Sequence, residues 1–529
     1  MKSKPHIILI VLDTLRADKT FGSFSNKKLT PFMEKLLEKS FYFTNCISNT
    51  VWTFPSHCTM FTGLYHSQIK EINTFSSLGY KIPTVTQILK ENGYNTLCYT
   101  ENSYISKIFQ LTKGFDEIVN NYKKGFIWLY RNIRLKFLLE SVNNFEKKVF
   151  RYIHSKKVFS IWKNIKRKIE ALIFTISIRL FWKYNIYNFE NISFQEIKKF
   201  GNIIQNLTKK EQKFIFFNIM APHEPYNPPK EILELFEINE EDLKIYRDLS
   251  FHAHEFKVYM NQISKKFNFR YANTLNKFYD ASIYYTDVIL KYIFRILRQN
   301  ELLKNSYIII TSDHGELLGG KEDHYLWGHS MPLKSVHKSL IHVPLLIYHE
   351  AFGKQCIEHQ VQLKDIFHTI LDLAHVSEEK YNLFTQKNSL LTQISQKSTP
   401  KYIYGEFLKN EKYINDILLI TSHKLGTLIE EHLDSKMKND IWFIRSNQYK
   451  YINYGNDYEE FFDIVEDPYE MNNIIKDKTN ECKRFQEFLQ FHQKEMREAP
   501  AIKSFITKDE KDKIGEAISS KFKNIKFKI

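Results

Sequence analysis

Three stretches of this chain carry residues that could hold a cation beside a hydroxyl. They are "ILIVLDTLRAD" with Asp13, "SYIIITSDHGE" with Asp313 and His314, and "VWTFPSHCTMFTG" (51–63) with Thr53, Ser56, Thr59 and Cys58. Two carboxylates and an imidazole suit a divalent ion. A hydroxyl drawn against that ion has its pKa lowered and becomes a nucleophile. The local chemistry of 51–63 leaves open which side chain that is. A lone Asp at a strand end is more often a turn or cap residue, but two such strands, one ending in Ser-Asp-His-Gly-Glu, argue for a site. Glu316 could instead cap a helix by bonding nearby backbone. Gly315 is expected to let the chain turn tightly beneath the metal.

Elements must bring these residues together. "PHIILIVLD" and "SYIIITSD" are unbroken apolar runs, the pattern of strands buried on both faces. Chemistry in an open α/β sheet gathers at the carboxyl ends of such strands. "KFIFFNIMAPHEPYNPP" repeats the design, with Pro222, Pro225, Pro228 and Pro229 stiffening a loop that presents His223. Residues 30–40 (Pro31 after a Thr cap) and 273–300 have helical periodicity, 84–102 reads as helix, Gly93 stop and strand, and "HVPLLIY" as a further strand. Strands alternating with helices predict an α/β fold, a mostly parallel sheet covered by helices on both faces. From about 400, short strands such as "DIWFIRSNQYKYINYG" precede the helix-like "CKRFQEFLQFHQKEMREA", predicting a smaller C-terminal α+β subdomain. The expected division is 1–122 and 200–395 for the main domain, 123–199 for an insertion, 396–507 for the subdomain and 508–529 for a basic tail.

The net charge of +16 implies anionic company. It concentrates in 123–184, where 16 Lys or Arg face 3 Glu among aromatic and aliphatic residues. That segment reads as a basic amphipathic helical insertion. It could cap the main domain with its lysines in water, or touch an anionic membrane surface. Nucleic acid is the weaker reading, since no base-stacking module accompanies the charge. Five widely spaced cysteines, with no metal-ligand spacing, fit reduced thiols. The N-terminus runs almost directly into a strand, so a cytoplasmic location is expected, with the inner membrane face as its extension. No window reaches 18 apolar residues, so no membrane span is expected.

"ILIVLDTLRAD", "NTVWTFPSHCTMFTGLY", "MAPHEPYNPP", "YDASIYYTD", "TSDHGELLG", "HVPLLIY" and "FFDIVEDPYEMNNI" follow one another in an order that resembles the sulfatase-like members of the alkaline phosphatase superfamily. The likeness covers most of 5–120 and 200–475. It implies that Asp13, Asp313 and His314 bind one divalent ion (Mn, Zn, Ca or Mg), with Thr53 Oγ1 drawn onto the same ion. Thr14 stands where many sulfatases have a further metal aspartate, which tilts the choice toward a transition metal. Thr53 occupies the position that sulfatases fill with the Cys or Ser they convert to formylglycine. A threonine would yield a ketone, and His57 replaces the arginine of that signature. No formylglycine is therefore expected, and Thr53 should act as a plain alkoxide. Ser56 and Thr59 become structural members of the helix, and Cys58 a small buried residue.

The resemblance further implies that His223 and His329 contact the anion or protonate the leaving group. His57 would support the nucleophile and Asn102 would touch substrate. His324, five residues before His329, would bind substrate or share a second metal site. Arg445 or Lys450 could help bind an acidic substrate, although Lys450 reads more readily as solvated surface charge, and His337 and His342 read as packing or loop residues. The activity implied is a metal-dependent phosphoester or phosphonate-ester hydrolase (phosphodiesterase branch included) with a covalent phospho-threonine. The alternatives are a sulfuric ester hydrolase, a phosphotransferase, or an inactive anion-binding protein.

Overall fold

Every residue of strand β1 (His6–Leu12) after the first is buried, which is why it reads as an unbroken apolar run. The computed structural model describes residues 4–24, 26–69, 78, 82–107, 109–120, 192–206, 212–251, 269–329, 335–377, 388–396, 402–408, 439–455, 458–477 and 479–498. Residues 123–184, expected to form the basic insertion, and the tail at 508–529 lie outside them.

The main sheet also contains β2 (Ser40–Ile47), β3 (Asn95–Thr100), β4 (Glu117–Asn120), β5 (Lys213–Ile219), β6 (Ser306–Thr311), β7 (His342–Tyr348), β8 (Gln355–Ile357) and β9 (Val361–Gln362). Their order is β8-β2-β7-β6-β1-β5-β3-β4, with β9 also paired to β2. β1 runs parallel to both neighbours, β5 and β6. β7 is antiparallel to β2 and β6, and it alone reverses direction among these strands. Val11 pairs with Thr311, so the same register carried forward brings Asp13 level with Asp313.

Alternation along β1 divides the core. Ile7, Leu9 and Val11 pack with Phe54, Ile88 and Phe367. These come from helices α2 (Thr53–Thr62), α3 (Val85–Glu91) and α7 (Asp365–Leu373). Ile8, Ile10 and Leu12 pack on the other face with Met33, Phe200 and Leu290. Those come from α1 (Pro31–Leu36), α4 (Ile192–Asn206) and α5 (Phe269–Gln299). Both faces are thus covered, as the apolar strands require. Helix α4 straddles the expected boundary at 199/200, and its buried Ile197, Phe200 and Ile204 belong to the main core.

The C-terminal part is a four-stranded antiparallel sheet of β10 (Ile403–Phe407), β11 (Ile441–Arg445), β12 (Tyr449–Asn453) and β13 (Glu459–Asp463). One face packs Phe443, Ile452 and Phe462 against Val51, Leu317 and Leu340 of the main domain. The other face is closed by Phe485 and Leu489 of helix α8 (Thr479–Glu498). No described helix is long and apolar enough to cross a membrane.

One sequence expectation is corrected here. Lys450 is fully buried rather than solvated, because it faces the interior of β12 and gives its charge to Glu470 at 2.7 Å and to the Val336 carbonyl at 2.6 Å. Removing one partner of a buried pair leaves the other charge uncompensated. Lys450→Met is therefore expected to cost roughly 3–5 kcal/mol in urea unfolding. Combining it with Glu470→Leu should cost less than the sum of the two single changes, because the orphaned carboxylate goes too.

Candidate active site

The ends of β1 and β6 deliver three ligand-type side chains to one point. Asp13, Asp313 and His314 are fully buried, with one donor atom from each lying within 4.8 Å of the others. Asp13 Oδ2 accepts from Asn102 Nδ2 at 2.8 Å, while Asp13 Oδ1 has no protein partner. Asp313 Oδ1 accepts from the backbone N–H of His314 (2.9 Å) and of Thr14 (3.2 Å), while its Oδ2 has none. His314 donates from Nδ1 to the Gly315 carbonyl at 2.9 Å. That fixes the tautomer and leaves the Nε2 lone pair facing the carboxylates, 3.4 Å from Asp313 Oδ2 and 4.0 Å from Asp13 Oδ1. The atoms lacking partners are those a divalent cation would take, and two anionic oxygens with one imidazole suit it chemically.

Burial, and then the charge of Asp313, push the Asp13 carboxyl well above the usual carboxylate range. Burial also pushes Asp313 upward. Its neighbours His314 and His57 and the two backbone N–H donors outweigh that and hold it low. The pair is electrostatically incomplete without added positive charge.

Thr53 opens helix α2, and its Oγ1 lies 3.4 Å from His314 Nε2. The helix N-terminus there favours an approaching anion through its unpaired N–H groups and dipole. Gly63, in the left-handed region (φ 70°), ends the helix and donates to the Thr59 carbonyl at 2.8 Å. The other hydroxyls are occupied structurally. Ser56 Oγ donates to the Asp313 carbonyl and Thr59 Oγ1 to the Ser56 carbonyl, at 2.7 and 2.8 Å. Cys58 is buried, which raises its thiol pKa. His57 is also buried. Its Nδ1 donates to the Thr53 carbonyl at 2.8 Å and lies 3.8 Å from Asp313 Oδ2. It therefore steadies the backbone of Thr53 and bonds to that residue's carbonyl, not its hydroxyl.

A second layer of histidines borders the cluster. The His329 ring lies 4.6 Å from His314 in a tilted contact and 4.8 Å from His223 edge to face, centroid to centroid. Glu316, fully buried, receives His329 Nδ1–H on both carboxylate oxygens at 3.0 and 2.9 Å. Its side chain thus orients a histidine instead of capping a helix. His223 lies between two cis peptides, Ala221–Pro222 and Glu224–Pro225, and its Nδ1 bonds the Glu224 carbonyl. Burial, then the nearby His329, lower its pKa to about 4.

Two expected site residues have protein partners. Asn102 donates its amide to Asp13 and accepts the Tyr104 N–H on Oδ1 (2.9 Å), so these bonds hold it against Asp13, a candidate metal ligand. His324 stacks on His337 at 3.9 Å and bonds the Tyr469 carbonyl at 3.1 Å, which draws it toward the C-terminal subdomain. His324 and His329 therefore do not converge on a second metal. Among the described residues, the Asp13–Asp313–His314 cluster is the one group with metal-site geometry.

The supports beneath the site were not singled out from sequence. Arg16 is buried and joins Asp18 (2.7 Å) to Asp323 (3.0 Å), while bonding the Glu316 carbonyl at 3.2 Å. Tyr279 donates to the Thr14 carbonyl at 2.6 Å and holds Thr14 in the left-handed region (φ 62°), a strained state for a β-branched residue. The Arg-x-Asp spacing after Asp13 was one available signal and the stretch "YDASIYYTD", which begins at Tyr279, was another; distant Asp323 had none. Gly315 matters through close approach, since a Cβ there would collide with the Ser339 carbonyl.

The family model described as Sulfatase matches residues 5–376. Arylsulfatase K of Canis lupus familiaris is 24% identical over 493 residues, covering 89% of this chain and 79% of its own length. Arylsulfatase of Clostridium perfringens is 21% identical over 488 residues, covering 89% and 90% respectively. The phosphonate monoester hydrolase of Agrobacterium radiobacter superposes with a TM-score of 0.63 at 15% identity, covering 93% of this chain and 95% of the other, which shows a shared fold.

Because Asn102 holds Asp13, Asn102→Leu is expected to weaken Mn²⁺ binding about 10–100-fold in calorimetric titration, the usual cost of losing a ligand's supporting hydrogen bond. An unchanged metal affinity with a raised KM would return Asn102 to a substrate role.

Proposed function

The chain belongs to the sulfatase family of the alkaline phosphatase superfamily and is a hydrolase of that superfamily, and on this premise we propose that it cleaves phosphoesters or phosphonate esters with Thr53 as an unmodified nucleophile. The carrying observation is Thr53 Oγ1 at a helix N-terminus, 3.4 Å from the His314 nitrogen that faces two unpartnered carboxylate oxygens. A threonine side chain has no route to the aldehyde of formylglycine, so its own oxygen is the group available for attack.

A divalent ion held by Asp13, Asp313 and His314 would supply Lewis-acid charge and lower the pKa of a neighbouring hydroxyl. Thr53 Oγ1, having released its proton to bulk solvent, attacks phosphorus in line as an alkoxide; as the new O–P bond forms, the bond to the leaving oxygen breaks. The α2 N-terminus stabilises charge that develops on the phosphoryl oxygens. His329, with Nδ1–H fixed by Glu316, gives its proton from Nε2 to the leaving oxygen. Neutral His223, whose Nδ1–H is spent on the Glu224 carbonyl, presents an Nε2 lone pair that accepts a proton from water. That water opens the phospho-threonine and restores Thr53.

Sulfate-ester hydrolysis is the second reading, favoured by curated relatives named arylsulfatases. Mn²⁺-loaded protein should be assayed with matched aryl phosphate monoester, phosphodiester, phosphonate monoester and sulfate. The expected result is faster phosphorus-ester than sulfate turnover, lost by about 10³-fold or more in Thr53→Ala, as for removal of other covalent nucleophiles. Dominant Thr53-dependent sulfate turnover would reverse the choice of chemistry, and product transfer to an added alcohol would mark a phosphotransferase.

Glu316→Gln should slow esters with poor leaving groups about 10–100-fold and leave activated aryl esters nearly unchanged, since only the former need the proton from His329. An equal loss on both would mean that Glu316 merely maintains the fold.

A further inference from the structure

Positive charge also collects where β7, β11 and the short helix α6 (Lys338–Ile341) meet. Arg445, the last residue of β11, is only 9% exposed. Its Nη2 donates to Asn45 Oδ1 at 2.7 Å, and its Nε has no partner. His342, the first residue of β7, donates from Nε2 to the Thr44 carbonyl at 2.8 Å, and its Nδ1 has no partner. Thr44 and Asn45 are consecutive residues of β2, so the two heads are anchored side by side. Lys338 lies four residues before His342, its Nζ 5.3 Å from the centre of the Tyr469 ring, and it makes no ion pair among the described residues. That ring is 40% exposed, which opens the cluster to solvent.

The nearby carboxylates are already engaged. Asp18 holds Arg16 through two bonds of 2.7 and 2.9 Å, and Glu470 holds Lys450 at 2.7 Å. Burial depresses the pKa of all three cluster groups, to about 4 for His342 and about 10 for Arg445, and Arg445 adds its repulsion at both His342 and Lys338. Burial is what disfavours the Arg445 charge; its side-chain partner is one neutral amide, and Glu470, which favours it, is already bonded to Lys450, so an external anion would complete the arrangement.

We propose that Arg445, Lys338 and His342 form a second anion site, for the phosphate of a phosphate monoester or of free inorganic phosphate. The donor set selects phosphate. Arg445 Nε–H and Lys338 Nζ–H donate to phosphoryl oxygens, whereas neutral His342, with its proton on Nε2, can only accept at Nδ1. Hydrogen phosphate carries a P–OH that supplies that proton; sulfate does not. None of the three bonds to Asp13, Thr53, Asp313 or His314, so the site does not depend on which ester is hydrolysed.

Calorimetric titration of Mn²⁺-loaded full-length protein with inorganic phosphate tests this, alongside Lys338→Gln, whose Nζ makes no hydrogen bond to the described residues and touches only the Tyr469 ring. Wild type should show two sites. The variant should keep the reaction-centre site, seen as an unchanged inhibition constant for phosphate against turnover. It should bind at the second site about tenfold more weakly or worse, the loss of one charge-assisted bond. Sulfate should occupy the second site about tenfold more weakly than phosphate. Lys338→Glu gives Arg445 an internal carboxylate, so it should abolish the second site and raise Tm in phosphate-free buffer.

The source of the phosphate is read from an aryl ester bearing a second phosphate on its ring. A KM raised about tenfold in Lys338→Gln with kcat unchanged assigns the site to the substrate's second phosphate. An unchanged KM with the calorimetric site lost assigns it to free phosphate. A single site in wild type, or superimposable isotherms for wild type and Lys338→Gln, overturns the proposal. The calorimetric reading is independent of turnover, so failure of every ester in the assay leaves this test intact.

Discussion

Two buried carboxylates with an oxygen of each within 4.8 Å of the other govern the rest of the structure. Asp13 and Asp313 project from adjacent parallel strands, and each leaves one oxygen without a protein partner. Left alone, such a pair drives one member toward its neutral form, as the raised pKa of Asp13 shows. The surroundings are built to hold both acids in place. Asn102 fixes one, two backbone N–H groups fix the other, and His314 turns a lone pair toward both. A cation would relieve the repulsion in a site arranged in this way, and the proposed nucleophile, Thr53, then needs only to be brought alongside.

Backbone geometry brings it there. Ser48 and Ser56 both donate to the Asp313 carbonyl at 2.7 Å, stitching the end of β2 and the first turn of α2 to the end of β6. Thr53 is thereby positioned by bonds that it does not itself make. The same economy appears one layer out, where Arg16 binds the Glu316 carbonyl while the Glu316 side chain orients His329. Small displacements in this frame would reach the chemistry through few intermediates.

The C-terminal sheet is part of that frame rather than an appendage. Its inner face packs on residues flanking the active-site loops, among them Val51, Leu317 and Val336. Lys450 crosses the junction to the Val336 carbonyl. Cationic groups therefore gather at this seam because the second sheet buries them against loops whose own acids are already paired.

The apolar strands, the alternation of strands and helices, and the positions of Asp13, Asp313, His314 and Thr53 were legible in the sequence. They are local: strand burial on both faces leaves a continuous hydrophobic run, and strand ends mark where polar side chains can meet. The partners of those residues were not legible. Asn102 meets Asp13 across 89 positions, Arg16 meets Asp323 across 307, and Lys450 loses its water only when β12 closes on the loop at 336. Sequence alone determined which atoms could do chemistry, because side-chain type sets donor, acceptor and nucleophile. Only tertiary structure decided which of them are aimed at the site, since burial and long-range hydrogen bonds select one orientation from those the chain permits.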